Sequence, residues 1–216
     1  MQEFIIVTGI ILKTVPIGEY DRRVVILSKE RGKISAFAKG ARRQNSRLMA
    51  ASNPFSFGEF KLSEGRTSYN IMEANIMNYF EELRNDFIGA YYGMYFLEVA
   101  DYYTRENNDE KEMLKLLYQS LRALLCQGIG RELVQVVFEL KSIVINGEYP
   151  GVPTDKEYEE STVYALNYIE KSSIEKLYTF TVNESVLKEL KEISGKYRRR
   201  FMEKEFKSLE ILESLS

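Results

Sequence analysis

Between Arg22 and Arg47 the chain carries nine lysines and arginines and a single acid, Glu30. Cations at that density neutralise phosphate oxygens. The candidate contacts with a polyanion are Arg22, Arg23, Lys33, Lys39, Arg42, Arg43 and Arg47. A solvated basic face on a small β-domain is the alternative reading of the same residues. A second cluster, Lys196, Arg198, Arg199 and Arg200, would extend that surface, hold an acidic partner tail, or form an exposed helix face.

Other chemistry is excluded by residue type. The chain has no histidine, which removes His-based triads, His metal sites and the commonest general base. Its one cysteine, Cys126, rules out an internal disulfide framework and any Cys₄ or Cys₂His₂ zinc site, and fits a reducing, cytoplasmic setting. Gly32-Lys33 lacks the upstream glycine of a phosphate-cradling loop, and the glycines at 128 and 130 follow no expected strand. Ser46 and Ser208 have neither a histidine nor an obviously spaced lysine to activate them. The expectation is therefore a protein without catalytic residues, metal or cofactor. Glu157, Glu159 and Glu160 could bind a hard cation, but a solvated acidic loop accounts for them more simply.

The elements that position these residues change character along the chain. Residues 1–80 carry 12 basic and 7 acidic side chains, a net of +5, against an overall −2. A basic front and an acidic back bear on partners, not on fold. The stretch 4–15 is β-branched with Thr8-Gly9 at its middle, which predicts a long strand with a bulge at the glycine. Residues 16–19 read as a turn. Strands at 22–28 and 33–38 flank a turn at 29–32 whose glycine can take positive φ. A helical turn at 48–51 should end before Asn53-Pro54. Alternation over 55–62 puts Phe55, Phe57 and Leu62 on a buried face; 63–67 is a hairpin loop and 69–76 a last strand. Five short strands coiled by glycines predict a small barrel of the oligonucleotide-binding (OB) type.

From about residue 78 the period becomes 3.6. Residues 81–105 read as one long helix, apolar nearly all round, whose tyrosines are core residues in preference to a base-stacking row. An amphipathic helix through Cys126 follows, with that cysteine in the core, and then a buried helix at 131–145. The stretch 148–161 is an exposed acidic loop. Helices are expected at 162–170, at 183–193 with Asn183 as cap, and at 196–212. In that register the basic cluster opens the last helix, where cations oppose the dipole. The fold class is α+β, with a five-stranded OB-type barrel over 1–78 followed by an α-helical bundle domain over 79–216. No run of 18 apolar residues occurs and residues 1–4 lack a signal-peptide pattern, so no membrane association is expected.

The ordered motifs resemble the RecO family of bacterial recombination mediators. The resemblance rests on Gly18-Glu19-Tyr20-Asp21-Arg22, Gly32-Lys33-Ile34-Ser35, and Ala38-Lys39-Gly40-Ala41-Arg42-Arg43 with Ser46. It continues through Asn53-Pro54-Phe55, Leu97-Glu98-Val99 and Phe206-Lys207-Ser208-Leu209. It implies an OB barrel on a helical domain and work without nucleotide hydrolysis. That work is binding single- and double-stranded DNA, annealing complementary strands, and helping RecR load RecA onto DNA coated with single-strand-binding protein, whose C-terminal tail is a further partner. Many relatives carry a four-cysteine zinc module after the helix that here ends near Asn146-Gly147. In this chain the loop 147–161 holds no cysteine, so the resemblance implies that the metal site is lost. An RNA-binding barrel and a protein–protein adaptor remain alternatives, since phosphate contacts do not distinguish the sugars and small barrels host many functions.

Overall fold

The computed structural model describes residues 4–65 and 68–215. β1 runs Phe4–Ile17, β2 Asp21–Ser28 and β3 Gly32–Ala38; α1, Leu48–Ala51, precedes β4, Phe57–Glu64, and β5, Tyr69–Asn78. The strands close a barrel in the order β1-β2-β3-β5-β4. Closure depends on β1 being long enough to pair twice, antiparallel to β4 through residues 4–10 and to β2 through 9–17. The seam between β3 and β5 is parallel and short, with Ala36 beside Tyr69 and Phe37 beside Asn70. Period-two alternation sends Val7, Val24, Ile26, Ile34, Ala36, Phe60, Leu62 and Ile71 into one buried cluster. A fully buried Val, Leu, Ile or Phe contributes about 1.5–3 kcal/mol, so this cluster sustains the barrel.

Several strand expectations shift. Gly9 is not the bulge: a Cβ there would lie 2.4 Å from the Leu27 carbonyl oxygen, so glycine permits the close approach of β1 to β2. The register shift falls instead between Ile11 and Lys13. β1 also continues through Pro16 and Ile17, and the turn occupies 18–20. β4 buries Gly58, Phe60 and Leu62, the opposite parity from Phe55 and Phe57. Phe55 is buried ahead of the strand, at φ +72°. A one-residue change of alternation exchanges the two faces of a strand. Of the loop expected at 63–67, Ser63 and Glu64 belong to β4, while Arg66 and Thr67 lie outside the described residues.

The helices are α2, Glu81–Asn85; α3, Phe87–Tyr103; α4, Lys111–Ala123; α5, Arg131–Ile145; α6, Glu160–Lys171; α7, Glu184–Phe201; and α8, Lys207–Leu215. The single helix expected over 81–105 is thus two. It breaks at Asp86, whose carboxylate accepts the Gly89 amide at 3.0 Å and pairs with Arg131. An aspartate with those two partners caps a new helix in preference to continuing the old one. α4 ends before Cys126, which is exposed and so is not the core residue expected. The two helices expected at 183–193 and 196–212 are divided elsewhere. α7 starts where Asn183 accepts the Val186 amide at 2.9 Å and runs unbroken through Gly195. Ile193, Ser194 and Tyr197 are buried around that glycine, and their packing outweighs its helix penalty of roughly 1 kcal/mol. Arg198, Arg199 and Arg200 consequently stand in the last turn of α7, where cations complement the dipole.

The chain forms two compact units. One takes the chain up to Asn85 together with Leu97–Leu114; the other takes Asp86–Phe96 together with the chain from Lys115 onward. In the first, the tip of the β2–β3 hairpin is held on the segment after α3. The Lys33 amide donates to Arg105 O and the Asn107 amide to Arg31 O, each at 3.0 Å. Gly32, at φ +64°, lies where a Cβ would come 2.5 Å from Arg105 O. In the second, α5 packs on α6 and α7, which also pack on each other. Phe138 of α5 stacks on Phe96 at a centroid separation of 4.2 Å.

Candidate nucleic-acid interface

The β2–β3 hairpin sorts its side chains by parity. Val24, Ile26, Ile34, Ala36 and Ala38 face the barrel core, so Arg23, Ser35, Phe37 and Lys39 lie on the outer face. Arg23 is directly opposite Phe37 in the ladder, and its guanidinium reaches Ser35 Oγ at 3.4 Å. Arg23 and Lys39 are exposed, and Phe37 is half-buried.

Beyond Lys39 the chain turns sharply at Gly40, φ +66°, whose amide donates to Asp21 Oδ1 at 2.7 Å. This bond ties down a carboxylate close to the cations. The exit loop is fastened to the β1–β2 turn. The Arg42 amide donates to Tyr20 O at 2.8 Å and its guanidinium to Gly18 O at 3.0 Å. The Arg43 guanidinium lies over the Tyr20 ring, 5.0 Å from its centroid. Arg42, Arg43 and Arg47 are exposed. A rigid strand face bearing one cation and one aromatic ring, continued by a fastened basic loop, can track a phosphate backbone and offer a ring to a base.

Two of the seven candidates serve the fold. Arg22 donates to Met49 O at 2.7 Å, to Ser52 Oγ at 2.9 Å and to Asn53 Oδ1 at 2.9 Å, so it anchors α1 and the loop after it. Lys33 pairs with Asp101 at 3.0 Å and also donates to the Asp101 carbonyl. Sequence density could not separate these two from their exposed neighbours, because the partners lie 27 to 68 residues away. Tyr20 joins the basic loop through its ring under Arg43, a contact that charge density alone does not reveal.

The second cluster is not one surface. Lys196 pairs with Asp155. Arg198 is turned inward to Glu139 at 3.2 Å and Glu213 at 3.1 Å. Glu139, only 2% exposed, also receives the Tyr95 hydroxyl at 2.7 Å, Gln135 Nε2 at 2.9 Å and the Ser194 hydroxyl. Burial, and then the Glu139 carboxylate, hold the Tyr95 phenol well above its ordinary pKa, so it remains a neutral donor. Arg199 and Arg200 are exposed. Among the described residues no three carboxylates or thiols converge where a cation would bind, and no helix is long and apolar enough to cross a membrane.

A closed five-stranded barrel in this strand order, followed by helices, defines an OB-fold protein with a helical C-terminal part. Residues 1–80 match the family model described as Recombination protein O N terminal, and residues 84–153 and 152–210 match Recombination protein O C terminal. The chain belongs to the RecO family of DNA repair proteins. It is 31% identical to the DNA repair protein RecO of Acetivibrio thermocellus over 242 aligned positions, covering 96% of each chain. It is 35% identical to the RecO of Alkaliphilus metalliredigens, over 66% of this chain and 58% of that one. Against the RecO of Bacillus mycoides the figures are 30%, 68% and 59%. An alignment of 242 positions to 216 residues leaves at least 26 without a counterpart here. The C-terminal family match is itself in two pieces that meet at residues 152–153.

Proposed function

We propose that this protein is a recombination mediator that binds single- and double-stranded DNA and anneals complementary strands without hydrolysing a nucleotide. In this reading it assists RecR in placing RecA on DNA coated with single-strand-binding protein. The barrel, residues 1–78, is the DNA-binding part. Arg23, Lys39, Arg42, Arg43 and Arg47 neutralise phosphates, with Phe37 available to a base. The helical part, residues 79–216, carries protein contacts, and the exposed Arg199 and Arg200 at the end of α7 offer positive charge to the acidic tail of single-strand-binding protein. Such a protein acts beside the chromosome, in the cytoplasm, without metal or cofactor.

The observation that carries this reading is the outer face of β2–β3. There an exposed arginine adjoins a half-buried phenylalanine, and the exposed, fastened 39–47 loop continues the charge. The test reverses Lys39, Arg42, Arg43 and Arg47 to glutamate together, leaving Arg22 and Lys33 in place because they hold the fold. Each lost phosphate contact should flatten the salt dependence of log K for single-stranded DNA by about 0.7. Affinity should fall sharply while the circular-dichroism spectrum is unchanged. Unchanged affinity in the folded variant would overturn the assignment. Equal retention of a matched RNA by the unaltered protein would favour an RNA-binding barrel.

A further inference from the structure

Between α6 and the segment leading into α7 lies a groove of about 700 Å³ that the DNA-binding reading does not use. One wall is α6, where Tyr164, 73% exposed, and Tyr168 stack at 6.4 Å with an interplanar angle of 24°. Tyr168 is fixed by its hydroxyl, 3.0 Å from Lys176 O and 3.0 Å from Thr179 Oγ1, and by an edge contact with Phe180 at 5.2 Å. The opposite wall is the chain itself. Phe180, Thr181 and Val182 run without turn or bend into Asn183, whose φ of −75° and ψ of 174° are extended. Among the described residues, no hydrogen bond engages the main-chain amides and carbonyls of Phe180, Thr181 and Val182. No lysine or arginine lines the groove, and Glu160 is its one charged lining residue.

A main chain free of turns and bends, unpaired and leading into an extended residue, suits strand addition, in which a peptide supplies ladder bonds and its alternate side chains enter the groove. With one carboxylate and no cation in its lining, the groove disfavours a phosphate backbone and an acidic tail. It selects a peptide whose alternate residues are apolar and basic, the cation lying over a tyrosine face and near Glu160. We propose that this groove docks an extended segment of a partner protein with alternating aliphatic and basic side chains, paired to the main chain of 180–182.

The probe is a fluorescently labelled octapeptide of alternating valine and lysine, titrated into the full chain and followed by anisotropy. It should bind at least tenfold more tightly than the same peptide with glutamate for lysine, or with its ladder amides N-methylated. Thr181→Pro removes one main-chain donor that makes no hydrogen bond within the protein and should weaken binding about tenfold, whereas Thr181→Ala should not. Tyr164→Ala with Tyr168→Ala should weaken it likewise, with single-stranded DNA affinity unchanged. The proposal fails if the lysine peptide binds no better than its glutamate or N-methylated forms. It also fails if Thr181→Pro matches Thr181→Ala, or if the tyrosine variant loses affinity for oligodeoxythymidine, which would make the groove a base-stacking site.

Discussion

At the scale of single residues, neighbouring cations have opposite tasks. Arg22 and Arg23 are adjacent in the chain, but strand alternation turns one guanidinium to three acceptors around α1 and leaves the other exposed. Arg22→Ala removes the three hydrogen bonds that anchor α1 and the loop after it, a cost of roughly 1–3 kcal/mol, and should lower the melting temperature with little change in the DNA salt slope. Arg198→Ala strands Glu139 as a buried carboxylate without its cation, a cost of about 3–5 kcal/mol, and should lower it further. Arg23→Ala should do the reverse, flattening the salt slope at unchanged melting temperature. If Arg22→Ala and Arg23→Ala behave alike in both measurements, the division between structural and exposed cations is wrong.

At the scale of elements, α7 is the informative one. Ser194-Gly195 reads locally as a helix end, since glycine favours a C-terminal cap. In the folded protein Gly195 is interior to the helix, and a Cβ there would meet only the Arg199 guanidinium, at an ordinary 3.5 Å. Gly195→Ala should therefore stabilise the protein by roughly 0.5–1 kcal/mol, read as a rise in the denaturation midpoint. A helix broken at Gly195 would instead be destabilised by the substitution. The outcome also decides whether Arg198, Arg199 and Arg200 complement a helix dipole or oppose one.

At the scale of the whole molecule, the front of the chain is basic and the remainder acidic. On the proposed function, annealing of two polyanions would be driven by base pairing itself, with the protein lowering their repulsion. If the five exposed cations of the interface each neutralise one phosphate, log K for single strands should fall with log salt at a slope of about −3.5. Between 50 and 200 mM salt that amounts to roughly a hundredfold loss of affinity. The rate of annealing should fall with it and be indifferent to ATP. Tight single-strand binding that never accelerates pairing would make the protein a docking module, not an annealer.

The sequence alone determined the class of fold, because β-branched runs and turn glycines over 4–38 and a 3.6 period beyond residue 78 are local signals that burial reinforces. It determined the basic stretch in the same way, since charge density is composition. It identified α5 with its bounds, where a largely apolar run and the closing Asn146-Gly147 agree. Tertiary structure decided what depends on partners distant in sequence. Phe55 and Phe57 have one parity and Phe60 and Leu62 the other, and pairing with β1 and β5 selected the buried face. Packing around Ile193 and Tyr197 carried α7 through a glycine. Acceptors at Met49 and Asp101 withdrew Arg22 and Lys33 from the exposed site. Each of these turns on a contact energy of one to a few kcal/mol, as large as the local preference it overrides, and no window of sequence contains both sides of such a contact.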